Sequence, residues 1–298
     1  MVGVASILLD RTVDVPSLPP RGGDVIGTEA GEAPGGGINV LGAAGRFGLT
    51  AAYAGPHGTG PIGDRVRAAL DADRIEALLP PDPDHDTGYC LALLEPDGER
   101  TFVTVPSAEA RQSAAGLSAV RLHERDVVYA SGYDLGYPVS GPVLGAWLGG
   151  LTPSGAGVGP WLALDPGPLA ALIPSRRLAE VLARTDLVTT SVAELPALGG
   201  RDALRAALPA GAVVIVRDGA RGCLLIDQDG AELAVPAARP PGPVLDSNGA
   251  GDVHLGALLA GLADGLDWPA ALLRAGRAAA WSLTVRGANS SPTPAQLT

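Results

Sequence analysis

Lysine is absent from this chain of 298 residues, and all 21 basic positions are arginine. A P-loop, a protein-kinase fold and a Schiff-base enzyme each place a lysine at the reacting phosphate or carbonyl, so all three are excluded. A nucleotide, if one is handled, must be held by backbone amides, arginine and a metal ion. Aromatic residues are scarce at 4% while hydrophobic residues reach 46%, so the core must be built mostly from Ala, Val and Leu. The two cysteines, Cys90 and Cys223, lie in apolar runs and read as buried thiols of a reducing compartment, not as a disulfide framework. Positive charge is also short. A formal net charge of −11 argues against a general nucleic-acid binder, because affinity for a phosphate backbone comes from a basic surface. No basic segment precedes the N-terminal apolar stretch, Asp10 interrupts that stretch, and no run is long enough to span a bilayer. The expected setting is the cytoplasm, with no membrane and no nucleic-acid partner. His57, His85, His123 and His254 are not clustered, which argues against a zinc site.

What is there is an alternation of short apolar runs and Ala/Leu-rich stretches of helical length. Strands are expected at Val2–Leu9, Ala51–Gly55, Val127–Ser131, Trp161–Asp165, Leu187–Thr189 and Val213–Val216. Helices are expected at Asn39–Gly48, Gly63–Ala72, Arg176–Arg184, Arg201–Leu208, Gly251–Gly265 and Trp268–Val285. Continuous apolar strands between helices imply a mostly parallel, doubly wound α/β sheet flanked by helices. Ligands in such folds bind at the carboxyl ends of strands, where Asp10 and Asp165 fall. Two segments break the pattern: the Pro- and Gly-rich stretch 11–34, and 87–106, where Pro96-Asp97-Gly98 turns a hairpin. Both read as a small β-sheet lid over a core formed by 1–10, 35–86 and 107–298. The stretch 152–160 reads as a flexible connection.

The most informative segment is Asp246-Ser247-Asn248-Gly249-Ala250-Gly251-Asp252, a small-residue turn opening a helix. Unpaired N–H groups and the helix dipole make such a turn suited to an anion such as a phosphoryl group. Asp252 stands beside that anion, where a carboxylate can take a proton from an attacking hydroxyl. A plain helix start has the same appearance. Pro34-Gly35-Gly36-Gly37-Ile38-Asn39 precedes another helix, with glycines permitting close approach and Asn39 offering a donor and an acceptor. These two Gly-rich motifs stand in the order and context of one known family. Asp10 after the first strand, Gly98-Glu99-Arg100-Thr101, and Val216-Arg217-Asp218-Gly219-Ala220-Arg221-Gly222 add to the match. Across essentially its whole length the chain resembles the ribokinase-like, or PfkB-type, carbohydrate kinases.

That resemblance implies an ATP-dependent phosphotransferase acting on a hydroxymethyl group of a sugar or nucleoside. Asp252 would be the general base, and the amides of Gly249, Ala250 and Gly251 the anion hole. Asp10, Gly36, Gly37 and Asn39 would hold substrate hydroxyls. Gly219 and Gly222 would shape the nucleotide loop, with Ser191 near the phosphates and Glu194 orienting Mg²⁺ through water. In members that use a monovalent cation its site lies beside the residue matching Asp246, so K⁺ joins ATP and Mg²⁺ as a further cofactor to test. Lids of relatives pair between subunits, which implies a homodimer. Three departures stand out: Ser191 where Asn is usual, Asn248 where Thr or Val is usual, and His254 where Phe is common, most simply a packed side chain. The second lid strand reads Phe102-Val103-Thr104-Val105 in place of a Tyr/Arg cluster that grips a sugar acid, so a neutral sugar is expected. Arg100 reads as a solvated turn charge or a substrate ligand. A ribonucleoside is the alternative substrate, and a non-catalytic sugar- or nucleotide-binding protein the distant one. Gly58-Thr59-Gly60-Pro61-Ile62-Gly63 has dinucleotide-binding spacing, but it does not open the first βαβ unit, and Pro61 crowds the turn.

Overall fold

The computed structural model describes residues 1–154 and 159–297, so residues 155–158 of the expected connection lie outside the described residues. Nine strands form one sheet. In spatial order they are β13 (Glu232–Val235), β12 (Cys223–Ile226), β11 (Val213–Arg217), β10 (Leu187–Ser191), β9 (Trp161–Asp165), β8 (Val127–Ser131), β1 (Val2–Gly3), β4 (Ala52–Tyr53) and β5 (Glu76–Ala77). Every pairing from β11 to β5 is parallel, and β12 and β13 close the other edge antiparallel. The central parallel strands β8, β9, β10 and β11 are mostly buried because helices cover both faces of the sheet. One face buries Ile215, Leu225, Val253, Leu258 and Leu272, and the other Val128, Leu144, Leu162, Val188 and Val214. Each such large side chain taken from water contributes about 1.5–3 kcal/mol.

Four strands form a second, smaller sheet in the order β3 (Thr28–Gly36), β2 (Ile7–Asp14), β6 (Tyr89–Leu94) and β7 (Arg100–Val105). The stretch expected as one strand, Val2–Leu9, is thus two. The chain leaves the large sheet after Gly3 and enters the small one at Ile7. Periodicity could not show this break, since Val4 and Ala5 are as buried as the strands they join. Two buried carboxylates pin the crossings between the sheets. Asp134 accepts from the Ser6 amide at 3.0 and 3.1 Å, and Glu109 from the amides of Gly88 at 2.7 Å and Ser107 at 3.0 Å. Burial pushes Asp134 up to about 7, against the pull of its bonds to Ser6.

Two helices decide where the site lies. The helix α1 (Gly37–Arg46) packs against α8 (Ala250–Ala263), and α8 in turn against α9 (Trp268–Ser282). A Cβ at Gly256 would sit 2.5 Å from the Val40 carbonyl oxygen, so only glycine lets α1 and α8 meet backbone to backbone. α9 starts where Asp267 caps the Ala270 amide at 2.9 Å.

Candidate active site

The backbone turn that opens α8 is built on Gly249. Its φ is +76°, and a Cβ there would lie 2.2 Å from the Ala288 carbonyl oxygen, so a side chain would meet both strain and a clash. The amides that follow are in the first helical turn, where no intrahelical partner exists. Gly249, Gly251 and Asp252 line a cavity of about 210 Å³ together with Tyr129, Ser131, Tyr133, Asp165, Gly167, Glu194 and Arg217. Ala250 is turned back, its amide reaching the Ser247 carbonyl at 3.5 Å. A wider depression beside Asp202, Arg205 and Pro209 gathers none of these groups.

The contact between α1 and α8 brings Asn39 to Asp252: the Asn39 Nδ2 donates to Asp252 Oδ2 at 2.9 Å. Burial pushes the Asp252 carboxyl up to about 6. The Asn39 bond pulls it down, and the charges of Asp165 and Glu194 push it up further. A carboxylate at that value is ionised at neutral pH yet basic enough to accept a proton. Asp10, on β2, lies over Gly35, where a Cβ would fall 2.1 Å from its Oδ2. Burial and then the charge of Asp252 push Asp10 up to about 7, which puts the two carboxyls within electrostatic reach of each other. Gly36 and Gly37 sit at the start of α1, the Gly37 amide donating to the Ser6 carbonyl at 2.8 Å. The buried Asn39 Oδ1 has no partner among the described residues. Asp10, Asn39 and Asp252, far apart in sequence, therefore converge.

On the opposite wall, Glu194 Oε2 accepts from the Ser191 amide at 2.7 Å and from Thr190 Oγ1 at 3.3 Å, and the Ser191 hydroxyl accepts from the Glu194 amide at 3.2 Å. Ser191 thus holds the Glu194 turn in place. Gly219 and Gly222 bracket the turn after β11, closed by the Asp218 amide on the Gly222 carbonyl at 2.7 Å.

Arg217, at the end of β11, stands within the 216–222 motif, which by itself assigns it no role. Its Nη2 is 3.0 Å from Asp165 Oδ2 and 3.7 Å from Glu194 Oε2. Tyr129, Tyr133 and Ser131, at the end of β8 and just beyond, were not foreseen as cavity residues. The rule that sites form at carboxyl ends of parallel strands would have found them.

Arg100 is neither solvated nor free for a substrate. From the small sheet it reaches Asp246, Nη2 to Oδ1 at 2.5 Å, and the same carboxylate accepts from the Asn248 amide at 2.8 Å and the Gly287 amide at 3.0 Å. His254 is buried, its imidazole pushed down to about 3 by burial and by Arg217, as a packed side chain. The dinucleotide-like segment is closed to phosphate. Asp86 caps that helix start, accepting from the amides of Ile62 at 3.1 Å and Gly63 at 2.8 Å. Among the described residues no helix is long and apolar enough to cross a membrane, and no group of three or more His, Cys, Asp or Glu could hold a metal ion.

Comparison with known proteins agrees with this architecture. The chain is similar to the sugar kinase YegV of Escherichia coli K12, described as uncharacterized, with 32% identity covering 99% of this chain and 91% of that one. In structure it is similar to ribokinase of Cryptococcus neoformans in complex with ADP, with TM-score 0.82, 21% identity, and coverage of 99% and 97%. It is also similar to the nucleoside kinase of Methanocaldococcus jannaschii, with TM-score 0.80, 16% identity, and coverage of 99% and 96%. At those identities the two solved structures speak for the fold. The profile of the pfkB family of carbohydrate kinases matches residues 2–296, and with it the chain is placed as a kinase belonging to that family.

Proposed function

We propose that this kinase transfers the γ-phosphoryl group of ATP to a hydroxymethyl group of a neutral sugar, with Asp252 as general base. The observation that carries the reading is the position of Asp252. It is a carboxylate at about 6, held by Asn39, in the first turn of a helix whose opening residues Gly249 and Gly251 line the same cavity. Asp10 and Asn39, with the backbone at Gly36 and Gly37, form the acceptor side, where a paired acceptor and donor suit vicinal hydroxyls. The turn at Gly219 and Gly222, with Ser191 and Glu194, forms the nucleotide side.

Asp252 takes the proton of the hydroxymethyl group as its oxygen attacks the γ-phosphorus in line. The bond to the β-γ bridging oxygen breaks, and ADP leaves with that electron pair. The amides of Gly249 and Gly251, together with that of Ala250 once it leaves Ser247, meet the negative charge on the equatorial oxygens. Preorganised donors of this kind are the largest single contribution in phosphoryl transfer. Mg²⁺ would neutralise the β- and γ-phosphates, and Glu194, on the cavity wall, is the residue to hold it through water. A K⁺ site beside Asp246 is disfavoured, because the Arg100 guanidinium already pairs with that carboxylate, which also accepts from the Asn248 and Gly287 amides.

The small sheet, with 11–34 and 87–106 at its heart, acts as a lid that excludes water. Its edge strand β7 leaves Phe102, Val103 and Val105 exposed, an apolar edge suited to pairing with a second copy in a homodimer. Beyond Arg100 that strand carries no cationic side chain to grip a carboxylate, which favours a neutral acceptor. The test is ADP release from Mg-ATP over pentoses, hexoses, sugar phosphates and nucleosides. One acceptor should give turnover that Asp252→Ala abolishes, and a nucleoside as that acceptor would replace the sugar reading. Binding of ATP with no turnover on any acceptor would overturn it.

A further inference from the structure

The cavity has a charge problem that the amides of α8 do not solve. Asp165, Glu194 and Asp252 all line it, and Arg217 is the one cationic side chain among its lining residues. A triphosphate brought against three carboxylates meets repulsion unless a cation stands between them. Arg217 stands there. Its Nη1 would lie 2.5 Å from a Cβ on Gly251, so the guanidinium borders the anion-hole turn itself. Its buried Nε has no partner among the described residues, while Nη2 reaches Asp165 and Glu194, so the fork is only partly satisfied. A guanidinium presents five donors in one plane, matched to phosphate oxygens. The chain has no lysine to do the same work.

We propose that Arg217 is a catalytic residue that binds the transferred phosphoryl group beside Gly251, and that Asp165 positions it. This deepens the kinase reading and rests on it. The contact is made to the γ-phosphoryl oxygens and tightens as charge gathers on them, so it acts on ATP and the transition state and not on ADP. A merely structural Arg217 would do no more than neutralise Asp165.

The two roles separate in the variant Arg217→Gln/Asp165→Asn, which removes one charge of each sign, so the net charge of the cavity is unchanged and Glu194 keeps its bond from the Ser191 amide. We expect it to fold, to bind Mg-ADP within threefold of wild type, and to bind the β,γ-imido analogue of Mg-ATP at least tenfold more weakly. Its kcat should fall by about 10²- to 10³-fold, the cost of one lost anion-hole donor. Arg217→Lys, keeping charge without the fork, should fall between. A double variant with kcat within threefold of wild type, or with both nucleotides weakened equally, would overturn the assignment. Should wild type turn over no acceptor, the kinase reading fails, while the ratio of imido-ATP to ADP affinity still decides whether Arg217 touches the terminal phosphate.

Discussion

Replacing Asp252 by Asn should destroy activity and stabilise the protein, and the second effect should depend on pH. Asp252 has a carboxyl raised from 3.8 to about 6, chiefly by burial. A carboxyl raised on folding costs stability once ionised. The cost is absent below the unfolded value, grows between 3.8 and about 6, and is complete above that. At about 1.36 kcal/mol per decade of acidity, the full cost is about 3 kcal/mol. Because Asp252 lines an open cavity, solvent reduces this to about 1–3 kcal/mol. Asparagine never ionises, and its carbonyl oxygen can still accept the bond that Asn39 donates at 2.9 Å, so little else is lost. For a chain of this size about 1 kcal/mol moves Tm by about 2 °C, so Asp252→Asn should melt about 2–6 °C higher at pH 8. The gain should shrink to within about 1 °C at pH 4. Differential scanning fluorimetry of both proteins across that range reads the effect directly, alongside a kcat reduced by about 10²- to 10⁴-fold. A Tm gain equal at the two pH values, or a loss at pH 8, would refute the assignment of a buried, destabilising carboxylate to this position.

With the acceptor in hand, kcat/KM should fall tenfold per pH unit below a midpoint near 6, as Asp252 takes up the proton it needs to be without. A profile flat down to pH 4.5 would point to another base. Gly249→Ala places a methyl 2.2 Å from the Ala288 carbonyl at φ +76°. It should cost about 1–3 kcal/mol of stability in chemical denaturation and at least about tenfold in kcat. Turnover measured with K⁺ replaced by choline should be unchanged, since Arg100 already occupies Asp246. Arg184, which holds the carbonyls of Leu151, Thr152 and Pro160 and the carboxylate of Asp186, should destabilise by about 3–5 kcal/mol when changed to Ala, measured as a drop in the urea midpoint at constant m.

Most of the large sheet was legible because its strands are short, apolar and separated by amphipathic or Ala-rich helices. The expected strands at Val127–Ser131 and Trp161–Asp165 coincide with the observed ones. Local signals also gave the hairpin of the second sheet, whose turn carries Pro96-Asp97-Gly98. What periodicity could not give were features set by tertiary contact. The edge strands β5 and β13 carry exposed or mixed side chains, and their strand character comes from the neighbour they pair with. The helix Ser140–Gly149 shows no polar face in sequence because its exposed positions are Pro142, Ala146 and Gly149, so no amphipathic period marks it. Asp252 and the glycine turn were visible because a glycine turn opening a helix is a compact, local pattern of residues. Their partners were not visible in the same way. Nothing in the segment around Asn39 states that it will bond a residue 213 positions away.

Arg100 shows why a charge cannot be read from its neighbours alone. In sequence it follows a Pro-Asp-Gly turn and a glutamate, which is how a solvated residue looks. Its actual environment is set by the contact of the small sheet with the loop before α8, which brings the start of β7 to Asp246. The consequence reaches the chemistry. Asp246 fixes the amides of Asn248 and Gly287 on either side of the Gly249 turn, and Arg100 fixes Asp246 from the small sheet. The order of the Gly249 turn is thereby tied to the position of the small sheet, these being, in the proposed reading, the anion hole and the lid. A phosphotransferase must avoid giving its phosphoryl group to water, and a transfer site that is fully formed only beneath a closed lid meets that requirement.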